Sequence, residues 1–348
     1  MIFLPAGLLA AALGLYGVYW ITLSNRISAG LATWAEAAHA EGIETAWSDT
    51  SVSGFPLRLA LTIDHPLLAN PAQDSDWEWQ TKKIIAQFLP YNLNHVILDI
   101  EGEHIIRYTD HSRRLPVRHE VRAKMQNAWA SYVRETGTHG RVALDIEELE
   151  SFRDTLGGTH GDRVAAKRVQ FHTRPSPLET GGTPGDYDLA LKGTGIELDL
   201  MGRTLPLGSS LEHLELQARL RHVPTDLKDA GPALWQGWAR GGGALTISKL
   251  RLIWGPLDLE AQGEMHIDAA GRPEGRFDAS LAHHEKLLSA LVQTGLIDER
   301  QGRMAFAGLN AVSAFQGETN GRVRIPIVMQ DGQLYLGPLA LGALRPVF

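Results

Sequence analysis

Residues 257–268 have the sequence LDLEAQGEMHID, in which apolar and polar side chains alternate. Successive side chains of a β-strand point to opposite faces, so this period of two predicts a strand with one buried and one solvated face. The apolar face carries Leu257, Leu259, Ala261, Gly263, Met265 and Ile267. The polar face carries Asp258, Glu260, Gln262, Glu264, His266 and Asp268. Half-buried strands of this kind are typical of antiparallel sheets.

The same alternation recurs along most of the chain. It is found at 55–63, 96–100, 142–146, 214–220 and 323–329. Turn signals at Gly255-Pro256 and Asp331-Gly332 join neighbouring strands. Helical periodicity is confined to the N-terminal segment and to Pro232–Ala239, His284–Ile297 and Met304–Phe315. We therefore predict a mainly β fold with one N-terminal transmembrane helix and a large curved antiparallel sheet, groove-like or sandwich-like, under a few covering helices.

The N-terminal segment is apolar. The run Ile2–Leu23 contains no charged residue, and as a helix it would extend about 33 Å, close to the roughly 30 Å of a bilayer's hydrocarbon core. It has neither a basic segment before it nor a small-residue cleavage site after it, which favours a retained anchor over a cleaved signal peptide. The predicted membrane-anchor residues include aromatic rings suited to the headgroup layer. They are Ile2, Leu8, Leu15, Tyr16, Tyr19, Trp20 and Leu23.

The segment after this run is poor in positive charge. Between Ile27 and Leu57 there is no Lys or Arg, whereas acidic residues are present, and such a flank translocates easily. We therefore expect the bulk of the chain outside the cytoplasm. The expected domains are a transmembrane anchor at 1–24, a membrane-proximal helix at 25–42 and a β-rich domain at 43–348. A sub-boundary is expected near 175–185, which is rich in Gly, Pro and Thr.

Composition excludes several classes of function. The 348 residues include 33 Lys+Arg and 40 Asp+Glu, for a net charge of −7. Nucleic-acid binding is not expected, because phosphate neutralisation needs clustered basic residues. The chain contains no cysteine, which excludes disulfides, Cys-ligated zinc and thiol catalysis.

No catalytic constellation is apparent. Asp110-His111-Ser112 resembles a triad in composition, but neighbouring residues of an extended chain point to opposite faces and cannot converge. His283-His284-Glu285 diverge around a helix start, and no metal-binding spacing is present. There is no nucleophile elbow, phosphate loop or dinucleotide fingerprint. We expect no enzyme activity, no metal and no cofactor, and a hydrolase is only the third hypothesis.

Four short motifs occur in order along the chain. They are Ser53–Arg58 (SGFPLR), Trp254–Leu257 (WGPL), Gly271–Gly275 (GRPEG) and Asp331–Pro338 (DGQLYLGP). With the N-terminal anchor, this arrangement resembles a bacterial envelope family known as domain of unknown function 2125. The resemblance implies a single-pass inner-membrane protein with its bulk in the periplasm, and it implies no activity or catalytic residue. At the level of fold, the chain also resembles AsmA-like envelope proteins, in which a curved sheet cradles lipid.

The width of the apolar strand face suggests a function. Ten strands spaced by about 4.8 Å form a face nearly 50 Å wide, whereas one helix covers only about 10 Å. The sheet must therefore close on itself or keep an apolar groove. Our leading hypothesis is a protein that binds or passes a lipid-like ligand on a concave apolar face. The alternative is an envelope scaffold with a fully packed sheet and protein partners. The predicted ligand-binding residues are Phe55, Leu57, Leu59, Leu61, Ile63, Leu250, Leu252, Trp254, Leu257 and Leu259.

Overall fold

The fold is dominated by antiparallel strands. The computed structural model describes residues 3–71, 76–111, 115–155, 161–201, 203, 205–224, 232–316, 321–337 and 339–347, so Ile2 and Ser112 lie outside the described residues. Within these ranges the chain forms four α-helices, one 3-10 helix at Leu178–Thr180 and twenty strands. The prediction of a mainly β fold with a large antiparallel sheet, a few helices and an N-terminal apolar helix is confirmed.

The chain divides into two units. Unit 1 comprises residues 1–134 and 144–163, and unit 2 comprises residues 135–143 and 164–348. Two of the three division points fall within the long strands Arg141–Thr155 and Asp162–Pro175, and the predicted boundary near 175–185 stays a prediction. That segment is held by its own hydrogen bonds, including Ser176 N to Asp186 O at 2.9 Å and Thr183 Oγ1 to Asp186 Oδ2 at 2.9 Å.

Unit 1 begins with the helix α1 (Phe3–Ala40), which includes both the predicted anchor and the predicted membrane-proximal helix. From Gly7 to Leu15 every side chain is exposed. From Tyr16 onward one stripe is half-buried or buried against unit 1 at a spacing of three or four residues. The stripe comprises Tyr16, Trp20, Leu23, Ile27, Leu31, Ala35 and Ala38.

The strands of unit 1 form two antiparallel series. The first ten are β1 (Glu44–Ala46), β2 (Asp49–Ser53), β3 (Leu59–Asp64), β4 (Leu67–Asn70), β5 (Trp77–Thr81), β6 (Lys83–Leu89), β7 (Asn92–Asp99), β8 (Gly102–Asp110), β9 (Val117–Met125) and β10 (Asn127–Val133). Two long strands follow, β11 (Arg141–Thr155) and β12 (Asp162–Pro175). One series pairs in the order β2-β3-β6-β7-β10, and the other in the order β1-β4-β5-β8-β9-β11.

Unit 2 contains an eight-stranded meander in which each strand pairs with the next. The strands are β13 (Tyr187–Asp199), β14 (Ser210–Arg221), β15 (Ala244–Trp254), β16 (Leu257–Ile267), β17 (Pro273–Ala282), β18 (Arg322–Gln330), β19 (Gln333–Leu336) and β20 (Leu339–Ala343). The helix α2 (Pro232–Arg240) connects β14 to β15, and α3 (His284–Gln293) and α4 (Glu299–Gln316) connect β17 to β18.

The core of unit 2 lies between the α3–α4 pair and one end of this meander. Its buried residues come from β16, β17, β18 and the two helices, and they include Leu281, Leu288, Leu309, Val323 and Ile325. Two helices side by side cover about 20 Å, or roughly four strand spacings. The α3–α4 pair is therefore too narrow to cover all eight strands.

Glu120 is a buried carboxylate of unit 1, and its environment predicts a pH-dependent stability. Glu120 on β9 accepts hydrogen bonds from Arg107 Nε at 2.8 Å and from Arg122 Nε at 2.6 Å. The hydrogen bond from Arg107 is the main cause of the lowered pKa of Glu120, which burial opposes. A depressed folded-state pKa adds stability that is present above the unfolded pKa of about 4.3 and lost as the pH falls through the folded value.

We therefore expect Glu120→Gln to lower the free energy of unfolding by about 1–3 kcal/mol at neutral pH. The difference in unfolding free energy between the variant and the parent chain should shrink below about pH 4. In that range Glu120 of the parent chain takes up a proton when the chain unfolds, so its ion pair contributes less to stability. Urea unfolding at several pH values measures this. Glu103→Gln, an exposed change on β8, is the matched control. An equal loss at pH 7 and pH 3.5 would show that the ion pair is not the cause.

Candidate hydrophobic-ligand site

Five of the predicted ligand-binding residues share one face of unit 2. Leu250, Leu252 and Trp254 on β15 lie opposite Ala261, Leu259 and Leu257 on β16, and directly opposed residues project from the same side of a sheet. All five predicted side chains are half-buried. The indole Nε1 of Trp254 donates to Gly208 O at 2.8 Å, which fixes this ring at the end of the β15–β16 hairpin.

Strand register extends this face across the meander in two apolar rows. The first row runs from β13 to β18 through Leu191, Leu216, Leu250, Ala261, Ala279 and Ile325. The second row runs through Gly193, Leu214, Leu252, Leu259, Leu281 and Val323. Six strands at about 4.8 Å spacing make these rows about 24 Å long.

Burial changes along the rows. At the end covered by α3 and α4, Ala279, Leu281, Val323 and Ile325 are all at most 3% exposed. At the other end, those leucines of β13, β14 and β15 that belong to the two rows are only half-buried. We call this half-buried end the apolar stripe. It is defined by Leu191, Leu214, Leu216 and Leu252.

Sequence reasoning identified part of this stripe. Leu214 and Leu216 belong to a predicted alternating strand, but they were not among the predicted ligand-binding residues, and neither was Leu191. The signal that could have found them is the register of β14 against β15, because it places Leu216 directly beside Leu250. That register depends on irregularities in β14 and β15 that alternation alone does not reveal.

The opposite face of the same strands is polar and internally paired. Glu215 accepts a hydrogen bond from Lys249 Nζ at 2.9 Å, and this contact is the main cause of its lowered pKa. Asp258 Oδ1 lies 3.0 Å from both Arg251 Nη1 and Arg322 Nη1. A groove of about 840 Å³ lies on this face, lined by residues of β15 to β18. The groove is charged, so it differs in chemistry from the predicted apolar groove.

The other five predicted ligand-binding residues lie in unit 1 and do not share a face. The strand predicted to begin at Phe55 begins at Leu59 instead, which corrects the prediction. Phe55 and Leu57 lie in the turn between β2 and β3 and are exposed. Leu59 and Leu61 are buried, as is the intervening Ala60, so both faces of β3 are covered at this end. Ile63 is half-buried. Pro56 explains why β3 begins only at Leu59, because a proline cannot donate a hydrogen bond to a strand ladder and disfavours a strand interior.

The predicted anchor residues divide at Tyr16. Leu8 and Leu15 are 66% and 74% exposed, as expected for lipid-facing side chains. Tyr16, Tyr19 and Trp20 form hydrogen bonds to backbone carbonyls of unit 1. Leu23 is only 4% exposed, so its side chain packs against protein.

The polar residues weighed in the sequence make separate contacts where the structure describes them. Of the Asp110-His111-Ser112 stretch, Ser112 is outside the described residues, and His111 Nε2 lies 3.3 Å from Asp76 Oδ1. His284 Nε2 lies 3.0 Å from Asn310 Oδ1, a contact between α3 and α4. In the part of the chain that the structure describes, no group of three or more His, Cys, Asp or Glu side chains could hold a metal ion.

Together these features define a class: a mainly antiparallel β protein whose N-terminal helix is long and apolar enough to cross a membrane. A family model described as "Uncharacterized protein conserved in bacteria (DUF2125)" matches residues 20–345. The chain belongs to this family, which confirms the resemblance noted in its motifs. No curated protein and no solved structure matches the chain. The likeness to AsmA-like proteins stays a prediction.

Proposed function

We propose that this chain is a single-pass protein of the bacterial inner membrane that holds or passes a lipid-like ligand on the apolar stripe of unit 2. The observation that carries the proposal is the change in burial along the two apolar rows. Leu281, Val323 and Ile325 at one end are covered by α3 and α4, whereas the four leucines of the apolar stripe are left half-buried. Completing the burial of apolar surface with an acyl chain is favourable by about 25 cal/mol per Å².

The proposed location is the periplasm. The support is the charge of the segment after the membrane run, where Lys and Arg are absent between Ile27 and Leu57. The helix α1 fits a single-pass anchor, since its side chains from Gly7 to Leu15 are exposed and apolar. Membrane lipid would be available as a ligand to an anchored protein of this kind.

A scaffold is the second candidate, and one observation favours it. The helices α3 and α4 already close the apolar face over β16, β17 and β18. A partner protein rather than a lipid would then cover the apolar stripe.

Photo-crosslinking in native membranes separates these two functions. A benzophenone amino acid at Leu216 probes the apolar stripe, and the same residue at Gln217, exposed on the opposite face of β14, is the control. We expect the full chain to form lipid adducts from position 216 and far fewer from position 217, because the two side chains leave opposite faces. Protein adducts at 216 without lipid adducts would support the scaffold and contradict lipid binding.

A further inference from the structure

Two hairpin tips of unit 1 expose large apolar side chains at the same end of one strand pair. The β2–β3 tip comprises residues 54–58, and the β6–β7 tip comprises residues 90–94. They lie side by side because β3 and β6 pair with Leu59 opposite Phe88. Phe55, Leu57 and Tyr91 are 56%, 79% and 81% exposed. With Leu93, which is also exposed, we call these residues the tip patch.

Both tips are attached to the aromatic segment of α1 that contains Tyr16, Tyr19 and Trp20. Tyr16 Oη donates to Pro56 O, Tyr19 Oη donates to Pro90 O at 2.8 Å, and Trp20 Nε1 donates to Arg58 O at 3.1 Å. The ring of Phe55 lies 5.7 Å from that of Trp20 and 6.1 Å from that of Tyr16. These contacts fix the tip patch at the level of Tyr16 to Trp20 along the helix axis.

That level lies within the apolar part of α1. The first charged residue after the uncharged run is Arg26, which is about 15 Å beyond Tyr16 at 1.5 Å per residue. Tyr and Trp rings prefer the headgroup layer of a bilayer. If α1 crosses a membrane, side chains held beside Tyr16 and Trp20 are at the boundary between headgroups and acyl chains.

We propose that the tip patch inserts into the leaflet that contains Tyr16, Tyr19 and Trp20, so that unit 1 has a second attachment to the membrane besides α1. The occupant of the patch is lipid rather than protein, and its chemistry fits. The two tips contain no acidic residue, and Arg58 provides a cation beside the apolar side chains. Anionic lipid headgroups attract such a cation, and Phe, Leu and Tyr side chains suit the interface.

This inference rests on α1 crossing a membrane and does not depend on the ligand proposed for unit 2. It explains why Phe55, Leu57 and Tyr91 are exposed although β3 beside them is buried on both faces. It also gives residues 54–58 a role as a turn rather than as part of a strand, because a turn with a proline presents its side chains outward from the end of the sheet.

Site-specific fluorescence in nanodiscs tests the inference, and the absence of cysteine from the chain makes labelling specific. Full-length Tyr91→Cys and Leu57→Cys variants carry a polarity-sensitive label, one protein per disc, in discs that contain a zwitterionic and an anionic phospholipid. Ala11→Cys, in the exposed apolar part of α1, is the reference within the bilayer. Glu41→Cys, about 37 Å beyond Tyr16 by helix rise, is the reference in water.

We expect labels at positions 91 and 57 to emit at shorter wavelength than the label at 41. A lipid nitroxide near the headgroup should quench them more strongly than one deep in the acyl chain. Labels at 57 and 91 that match position 41, while position 11 is quenched, would overturn the inference and leave the anchor intact. A blue shift without lipid quenching would assign the patch to protein contact and overturn it as well. Absence of quenching at position 11 would overturn the anchor itself.

Discussion

Leu281→Ala should cost the chain about 3 kcal/mol of unfolding free energy, because it leaves a cavity that the surrounding core cannot fill. Leu281 is 1% exposed on β17, between Leu259 and Val323 of the neighbouring strands. It belongs to the core beneath α3 and α4. For a unit of this size the loss corresponds to a fall in Tm of about 6–12 °C. Thermal unfolding of the purified full chain in detergent measures it.

The matched control for this change is Leu296→Ala in the same unit. Leu296 is 57% exposed between α3 and α4, so the same chemical change there should alter stability by no more than about 0.5 kcal/mol. Equal effects of the two substitutions would contradict the placement of the unit 2 core under these helices.

Gly255→Ala should be destabilising by about 2–5 kcal/mol. Gly255 has a φ of +52° in the turn between β15 and β16. A Cβ atom added there would lie 2.0 Å from the backbone oxygen of Leu207. The substitution therefore combines an unfavourable backbone conformation with a clash that only backbone movement can relieve. Because Trp254 and Leu257 flank this turn, lipid crosslinking from position 216 should also decrease.

Gly295→Ala separates the two causes. Gly295 follows α3 with a φ of +73°, and nothing lies within 4 Å of the added Cβ. Only the unfavourable backbone conformation applies here, so the expected loss of unfolding free energy is about 1 kcal/mol. Hydrogen exchange should show faster opening of the β15–β16 hairpin in Gly255→Ala alone. A loss at Gly255 no larger than at Gly295 would contradict the close approach of Leu207.

The sequence was sufficient to predict many of the regular elements of unit 2, although β17 and β20 were not predicted. Alternation and turn chemistry predicted β16 and the hairpin at Asp331-Gly332, which joins β18 to β19. The predicted helix Pro232–Ala239 corresponds to α2, and the two later helical patterns correspond to α3 and α4. These features depend on local periodicity and turn residues, which a single sequence contains.

Coverage of the apolar face could not be predicted in this way. Leu216 and Leu281 have the same residue type and lie on the same type of strand face, yet one is half-buried and the other buried. The difference comes from where α3 and α4 pack, which is a tertiary contact. The burial of Leu23 could not be predicted for the same reason, since its apolar character suits both lipid and the protein surface that buries it.

The turn at Phe55–Leu57 was misassigned because apolar residues alternate through it into β3. Gly54 and Pro56 were the signals that could have corrected this prediction, since a proline in an alternating segment argues against a strand interior. The residues 90–94 gave no comparable signal, and their proximity to Tyr19 follows only from the pairing of β3 with β6.

Native mass spectrometry of the full chain released from its membrane tests lipid binding by unit 2 most directly. Lipid can also adhere to α1, so the comparison is between the parent chain, Leu216→Gln on the apolar stripe and Gln217→Ala on the opposite face. The proposal predicts that the parent and Gln217→Ala retain one more lipid per chain than Leu216→Gln, while all three unfold at similar temperatures. Identical lipid occupancy in the three proteins would contradict it.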